Sequence, residues 1–271
     1  MKKILITGFF CFYVIIFSSC QEQNFVSMPG FDFALFKSTP AEELARAIEK
    51  EDTSKIKEII AKDNTVINYQ DLRFGTNLLS VAMINQKFIS MNYLLAVGAD
   101  PNIKSKIDGA TTLTNFCEFN YLFNNSSDIL KLLIRHGADV NTERIWQEKQ
   151  WNNETKEFHE TALQTLCHWG SIDLVKILVD NGARLDSYPI NGESSLIYFA
   201  INNSKLDILE YLLIEKKVPV PDYVTIDKYT PEKSKVNLRQ MIVTRGQHQV
   251  KDKQQQQIED KILSFLQANG K

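Results

Sequence analysis

Three times in this chain an apolar run of helical spacing ends in the same kind of turn: Gly98-Ala99-Asp100, Gly137-Ala138-Asp139 and Gly182-Ala183-Arg184. Internal repetition constrains a fold more than any single motif, because each copy must adopt the same local structure and bury its apolar face on its neighbours. The upstream partners of these turns recur as well. Leu78, Leu113, Leu163 and Leu196 each sit in a short Thr/Ser-x-Leu start, at spacings of 35, 50 and 33 residues. Four residues after each leucine stands Ala82, Cys117, Cys167 or Ala200. That is one helical turn on, hence the same face, and a small side chain there allows close helix approach. Second runs such as residues 172–179 carry apolar spacing that fits a helix, and the glycine that follows can take the left-handed conformation that ends one.

These segments resemble ankyrin repeats. Asp108-Gly109-Ala110-Thr111-Thr112-Leu113 opens one unit, Leu94 to Asn102 closes another with Gly98-Ala99-Asp100-Pro101-Asn102, and Leu133 to Asn141 closes the next. The proline and histidine of the family's start are replaced, by Asn77 and Leu79 in one unit and by Ala162 and Gln164 in another. The resemblance implies an all-α solenoid of stacked helix-turn-helix units, about five to six repeats with degenerate ends, covering residues 38–220. A first degenerate unit spans 40–67, and residues 221–271 are expected to form an irregular segment and C-terminal capping helices. In the family the concave side binds partners, so the position two after each leucine is expected to face that groove: Ser80, Asn115, Thr165 and Tyr198.

Between the third and fourth units, residues 143–160 lengthen the connection and contain Ile145, Trp146, Trp151 and Phe158. Loops of that length are usually functional or disordered. Tryptophan buries a large rigid area while offering one donor, which suits a binding hot spot. Trp146 and Trp151 therefore either contact a partner or fold onto the neighbouring loop. A second insertion at 119–127 adds Tyr121 and Phe123.

The N-terminus reads as an export leader: Met1-Lys2-Lys3, an apolar run of 14 residues from Ile4 to Phe17, then Ser18-Ser19-Cys20. A helix crossing a bilayer needs about 20 apolar residues, which disfavours a permanent span. The end of the leader resembles a bacterial lipobox, with Phe17 where leucine is usual. The resemblance implies a signal peptide over 1–19, lipidation of Cys20, a tether over 20–37 and a cell-envelope location, at the periplasmic side of the outer membrane if the source is Gram-negative. Ordinary cleavage near Ser19 would instead leave Cys20 free. Phe31, Phe33 and Phe36 are placed to fold back on the first helix pair.

Removing Lys2 and Lys3 leaves 29 basic residues against 33 acidic ones, and this mild acidity disfavours nucleic acid as a partner. Cys117 and Cys167 occupy equivalent places in successive units, too far apart for a disulfide, and are expected as buried free thiols. Cys167-His168 lacks a third ligand at suitable spacing, and no phosphate-cradling or nucleophile motif appears. The expectation is a membrane-tethered module that binds a protein partner, with no enzymatic activity, cofactor, metal or small-molecule substrate. Alternatives are an immunity protein neutralising a delivered toxin, or a structural envelope protein that self-associates.

Overall fold

A computed structural model describes residues 28–149, 155–186, 195–226, 235–246 and 252–271. The leader and Cys20 lie outside these, as does Trp151. Among the described residues the first element is a 3₁₀ turn, Phe33–Phe36, and helix pairs follow: α1 Glu42–Glu49 with α2 Thr53–Lys62, α3 Leu78–Ile84 with α4 Phe88–Ala96, and α5 Thr112–Glu118 with α6 Ser126–Arg135. Strands β1 Glu143–Lys149 and β2 Thr155–Thr161 come next, then α7 Ala162–Trp169 with α8 Ile172–Asp180 and α9 Ser195–Asn202 with α10 Leu206–Glu210, which continues as a π turn over Tyr211–Glu215. The chain ends with β3 Thr225–Ile226, β4 Lys235–Val236, α11 Leu238–Gly246 and α12 Lys253–Ala268.

Side-chain caps set where the first helices begin. Asn77 accepts the Ser80 N–H, Thr111 the Thr114 N–H and Thr161 the Gln164 N–H, the last two completed by a reciprocal bond from the third residue. The second helices end where Gly98, Gly137 and Gly182 stand. At Gly137, φ is 85°, a conformation only glycine adopts at little cost, and its N–H closes the turn on the Ile134 carbonyl at 2.9 Å.

The helices form two layers. The first helices α1, α3, α5, α7 and α9 pack one on the next, and behind them α2 lies against α4, and α6 and α10 against α8. Between the layers runs one continuous core, from Phe36, Leu44 and Ile48 through Leu79, Met91, Phe116, Leu130, Leu166 and Leu178 to Leu212, Ile262 and Leu266. At the C-terminal end α12 covers α10 and α11 packs on α12. No helix among the described residues is long and apolar enough to cross a membrane.

Successive turns are stitched by asparagine side chains. Asn102 accepts the Asp139 N–H at 2.7 Å and donates to the Gly137 carbonyl at 2.8 Å. Asn141 does the same one unit on, with the Arg184 N–H at 2.8 Å and the Gly182 carbonyl at 3.0 Å, and Asn68 accepts the Asp100 N–H at 2.9 Å.

The expectation of an all-helical chain is corrected. β1 and β2 form an antiparallel hairpin in register from Glu143 opposite Thr161 to Lys149 opposite Thr155, and β3 pairs with β4. The described residues of the insertion, 143–149 and 155–160, are therefore paired strands, the second of which runs directly into the Thr161 cap of α7. The insertion at 119–127 holds a 3₁₀ turn, Asn120–Leu122, that tucks Phe123 into the core against Phe116.

Candidate partner-binding surface

The root of the hairpin is a charge cluster drawn from four parts of the chain. Arg144 on β1 donates to Asp108 Oδ2 through Nε at 3.0 Å and Nη2 at 2.7 Å, and through Nη1 to Glu118 at the end of α5. Glu160, directly opposite Arg144 on β2, completes it. Burial works against the Asp108 carboxylate, but Arg144, Ser105 Oγ and the Ala110 N–H outweigh it and hold its pKa below the usual range. Burial pushes Glu118 up despite Arg144, with Asp108 adding to the rise. Glu160 is raised to about 7 by burial, which Arg144 opposes and Glu118 reinforces. One guanidinium thus faces three carboxyl groups, of which Glu160 is the one that keeps its proton most readily.

Above this root the strands present two faces. On one, Trp146 stacks on its cross-strand partner Phe158, with ring centroids 5.5 Å apart and planes 15° from parallel, and the Arg144 guanidinium lies 5.8 Å from the Trp146 ring. On the other, Ile145 is exposed opposite His159, whose ring nitrogens meet Glu157 at 2.9 Å and Glu143 at 3.3 Å. The hydrogen bond with Glu157 raises the His159 pKa, burial opposes it, and the Glu143 hydrogen bond adds to the rise. The Ile145 N–H donates to the Asp108 carbonyl at 2.7 Å, which ties the hairpin to the preceding turn. Trp146 is thus held in place before any partner arrives.

The first-helix positions are placed differently from expectation. Ser80, Asn115 and Thr165 are buried, not exposed in the groove. Ser80 Oγ lies 2.8 Å from Thr112 Oγ1, a hydroxyl pair between α3 and α5, and Thr165 Oγ1 donates to the Thr161 carbonyl. Tyr198 is partly exposed beside Phe199. The repeat register also shifts in one unit. Measured from the caps Asn77, Thr111 and Thr161, the leucine equivalent to Leu113 and Leu163 is Leu79 rather than Leu78. Ser80 is therefore equivalent to Thr114 and Gln164, and the close-approach position holds Met83 in α3 and a cysteine in α5 and α7. Cys117 and Cys167 are buried free thiols, and burial pushes both well above the usual thiol range.

Two features escaped the sequence reading. The charge cluster joins Asp108, Glu118, Arg144 and Glu160 across separations that no local pattern reveals. The second lies at the end of α7, where His168 stacks on Phe199 of α9 with centroids 5.1 Å apart, and its ring centroid is 4.0 Å from that of the exposed Trp169. Burial and the nearby Lys205 depress His168 to about 4. The signal available was His168-Trp169 at a helix end, where a core position would not hold two polar-edged rings in succession.

Comparison with known proteins agrees with the two-layer geometry. The family described as ankyrin repeats (3 copies) matches residues 143–222. A putative ankyrin repeat protein of fowlpox virus (strain NVSL) is 30% identical over 129 residues, covering 48% of this chain and 34% of that protein. The chain therefore spans about a third of the length of that relative. Repeats of this kind generally mediate protein–protein interaction and are typically non-enzymatic. The paired helices in two layers and the glycine-ended second helices agree with that match to ankyrin repeats over residues 143–222.

Proposed function

We propose that this protein is a non-enzymatic interaction module that binds a protein partner through the β1–β2 hairpin and the concave side of its first-helix layer. The observation that carries this reading is the pre-positioned Trp146, stacked on Phe158 and fixed below by Arg144. A rigid aromatic anchor costs little conformational entropy on binding, which is why such side chains dominate interface energetics. Trp151 belongs to the same insertion and is included in the proposal on its sequence position. In this reading five to six repeats over 38–220 form the solenoid, Cys20 carries the acyl chains, and the module is held at the cell envelope, with two or more chains giving stable attachment.

The test is capture of the chain from its own cell envelope, followed by reconstitution with the purified partner, for wild type and for Trp146→Ala and Trp151→Ala. A stoichiometric complex weakened at least tenfold by Trp146→Ala supports the reading. A complex unaffected by both substitutions removes the hairpin from it. Mass spectrometry of the N-terminal peptide tests the anchor, because an unmodified Cys20 thiol would rule it out.

A further inference from the structure

The first-helix layer is not a bare surface along its length: α3 is buried over all of Leu78–Ile84. Before the first helix pair, the chain crosses it. Phe36 is fully buried with its ring 6.4 Å from Tyr69, and Asp32 caps the 3₁₀ turn by accepting the Ala34 N–H at 2.8 Å. From this anchor the segment runs back over two further units. The Phe31 carbonyl accepts a hydrogen bond from Asn85 Nδ2, at the end of α3, at 2.7 Å. The Phe31 ring meets Phe119, at the end of α5, edge to face with centroids 5.8 Å apart. Gly30 passes over Phe74, so that a Cβ built on it would lie 3.5 Å from the ring, and the Phe31 N–H closes a turn on the Met28 carbonyl at 3.0 Å. Beneath, Val81 is fully buried.

We propose that residues 28–31 are a strap that occupies a peptide-binding seat formed by Phe74, Asn85 and Phe119, and that a partner fills this seat with an extended segment bearing an aromatic side chain after the strap has withdrawn. This rests on the reading of the first-helix layer as partner surface and adds how that surface is regulated. The nature of the ligand follows from what is seated there: one main-chain carbonyl for the Asn85 amide and one ring for the Phe119 edge. Reversibility follows from the asymmetry of the hold. Phe36 is wholly buried, whereas Phe31 is half-buried and its carbonyl is held by a single side-chain donor. The strap can therefore peel from its Phe31 end while its Phe36 anchor stays in the core.

Gly30 is the backbone element on which the strap depends. Its φ is +90°, which a β-branched residue does not adopt without strain. Gly30→Val should thus release the strap without touching the seat, and Phe31→Ala should release it by removing the ring. The probe is the synthetic peptide Met-Pro-Gly-Phe-Asp-Phe, blocked at both ends and titrated into the full chain while the Asn85 side-chain amide and the Phe119 backbone amide are followed by NMR. Both variants should bind it at least tenfold more tightly than wild type, and Phe31→Ala combined with Asn85→Ala should return to the wild-type level. Equal binding by wild type and both variants overturns the proposal. So does an absence of binding by folded Gly30→Val and Phe31→Ala chains. Because the probe is the strap sequence itself, these outcomes are independent of whether an envelope partner is found.

Discussion

Arg144 holds Asp108 with two nitrogens on one carboxylate oxygen, and the two residues come from different repeat units, 36 positions apart. Their side chains are 15% and 18% exposed, so this is a largely buried ion pair in which each charge depends on the other. Arg144→Ala would leave Asp108 and Glu118 without their cation, and a broken buried pair costs about 3–5 kcal/mol. Urea unfolding followed by circular dichroism should show that loss. A change below 1 kcal/mol, roughly the worth of a surface pair, would mean that water enters the hairpin root.

Among the carboxyl and imidazole groups, Glu160 and His168 shift furthest, and they tie stability to pH in opposite directions. Glu160 has a folded-state pKa of about 7 against an ordinary 4.5, so between these values the folded chain keeps a proton that the unfolded chain has lost, and stability falls as pH rises. His168 has a folded value of about 4 against 6.5, so between those the unfolded chain binds a proton that the folded chain does not, and stability rises with pH. From about pH 4.5 to 6.5 the two offset each other. Glu160→Gln should therefore raise the melting temperature most above pH 7 and expose the rising slope of His168 below it. His168→Phe should expose the falling slope of Glu160. Parallel melting curves for all three proteins across pH 4–8 would refute both assignments.

Asn102→Ala removes the acceptor for the Asp139 N–H and the donor for the Gly137 carbonyl in one step. Both backbone groups are near the surface and regain water, so the cost should be about 1–2 kcal/mol. Asn141→Ala should cost a similar amount, because it repeats the same pair of bonds to Gly182 and Arg184. A chemical denaturation series that finds either substitution neutral would show that the stitch adds nothing beyond helix packing.

Ser204 sits at φ 56°, in the turn between α9 and α10, where a side chain is strained. Ser204→Gly should stabilise the protein by about 1 kcal/mol by relieving a left-handed conformation that costs about 1–2 kcal/mol for a residue with a Cβ. Thermal melting at a fixed pH measures this, and a lowered melting temperature would contradict it.

The parts of this fold that were legible in the sequence are those set by local chemistry: the Thr/Ser-x-Leu starts before Leu113 and Leu163, the glycine turns at Gly98, Gly137 and Gly182, and the small Cys117 and Cys167 between adjacent first helices. The register of α3 was not, because Leu78 and Leu79 both satisfy the apolar pattern and only the Asn77 cap decides between them. That one-residue difference makes Val81, not Ser80, the equivalent of Asn115 and Thr165, and Ser80 pairs with Thr112. The hairpin was hidden for another reason. Residues 143–149 and 155–161 hold many charged and polar side chains, they pair with each other, and they are tied to the stack by the distant Asp108, which binds Arg144 by its carboxylate and Ile145 by its carbonyl. The seat beneath Phe31 depends on Asn85 and Phe119, still further along the chain, and a sequence shows the aromatic residues without showing which surface receives them.

Each asparagine stitch reaches only to the next turn: Asn68 to Asp100, Asn102 to Asp139 and Asn141 to Arg184. The stack is consequently a set of links in series, each bearing the same tension when the molecule is drawn out by its two ends. Under such a load it gives way link by link, lengthening in steps, and a unit that has opened can close again on the neighbour that still holds its shape.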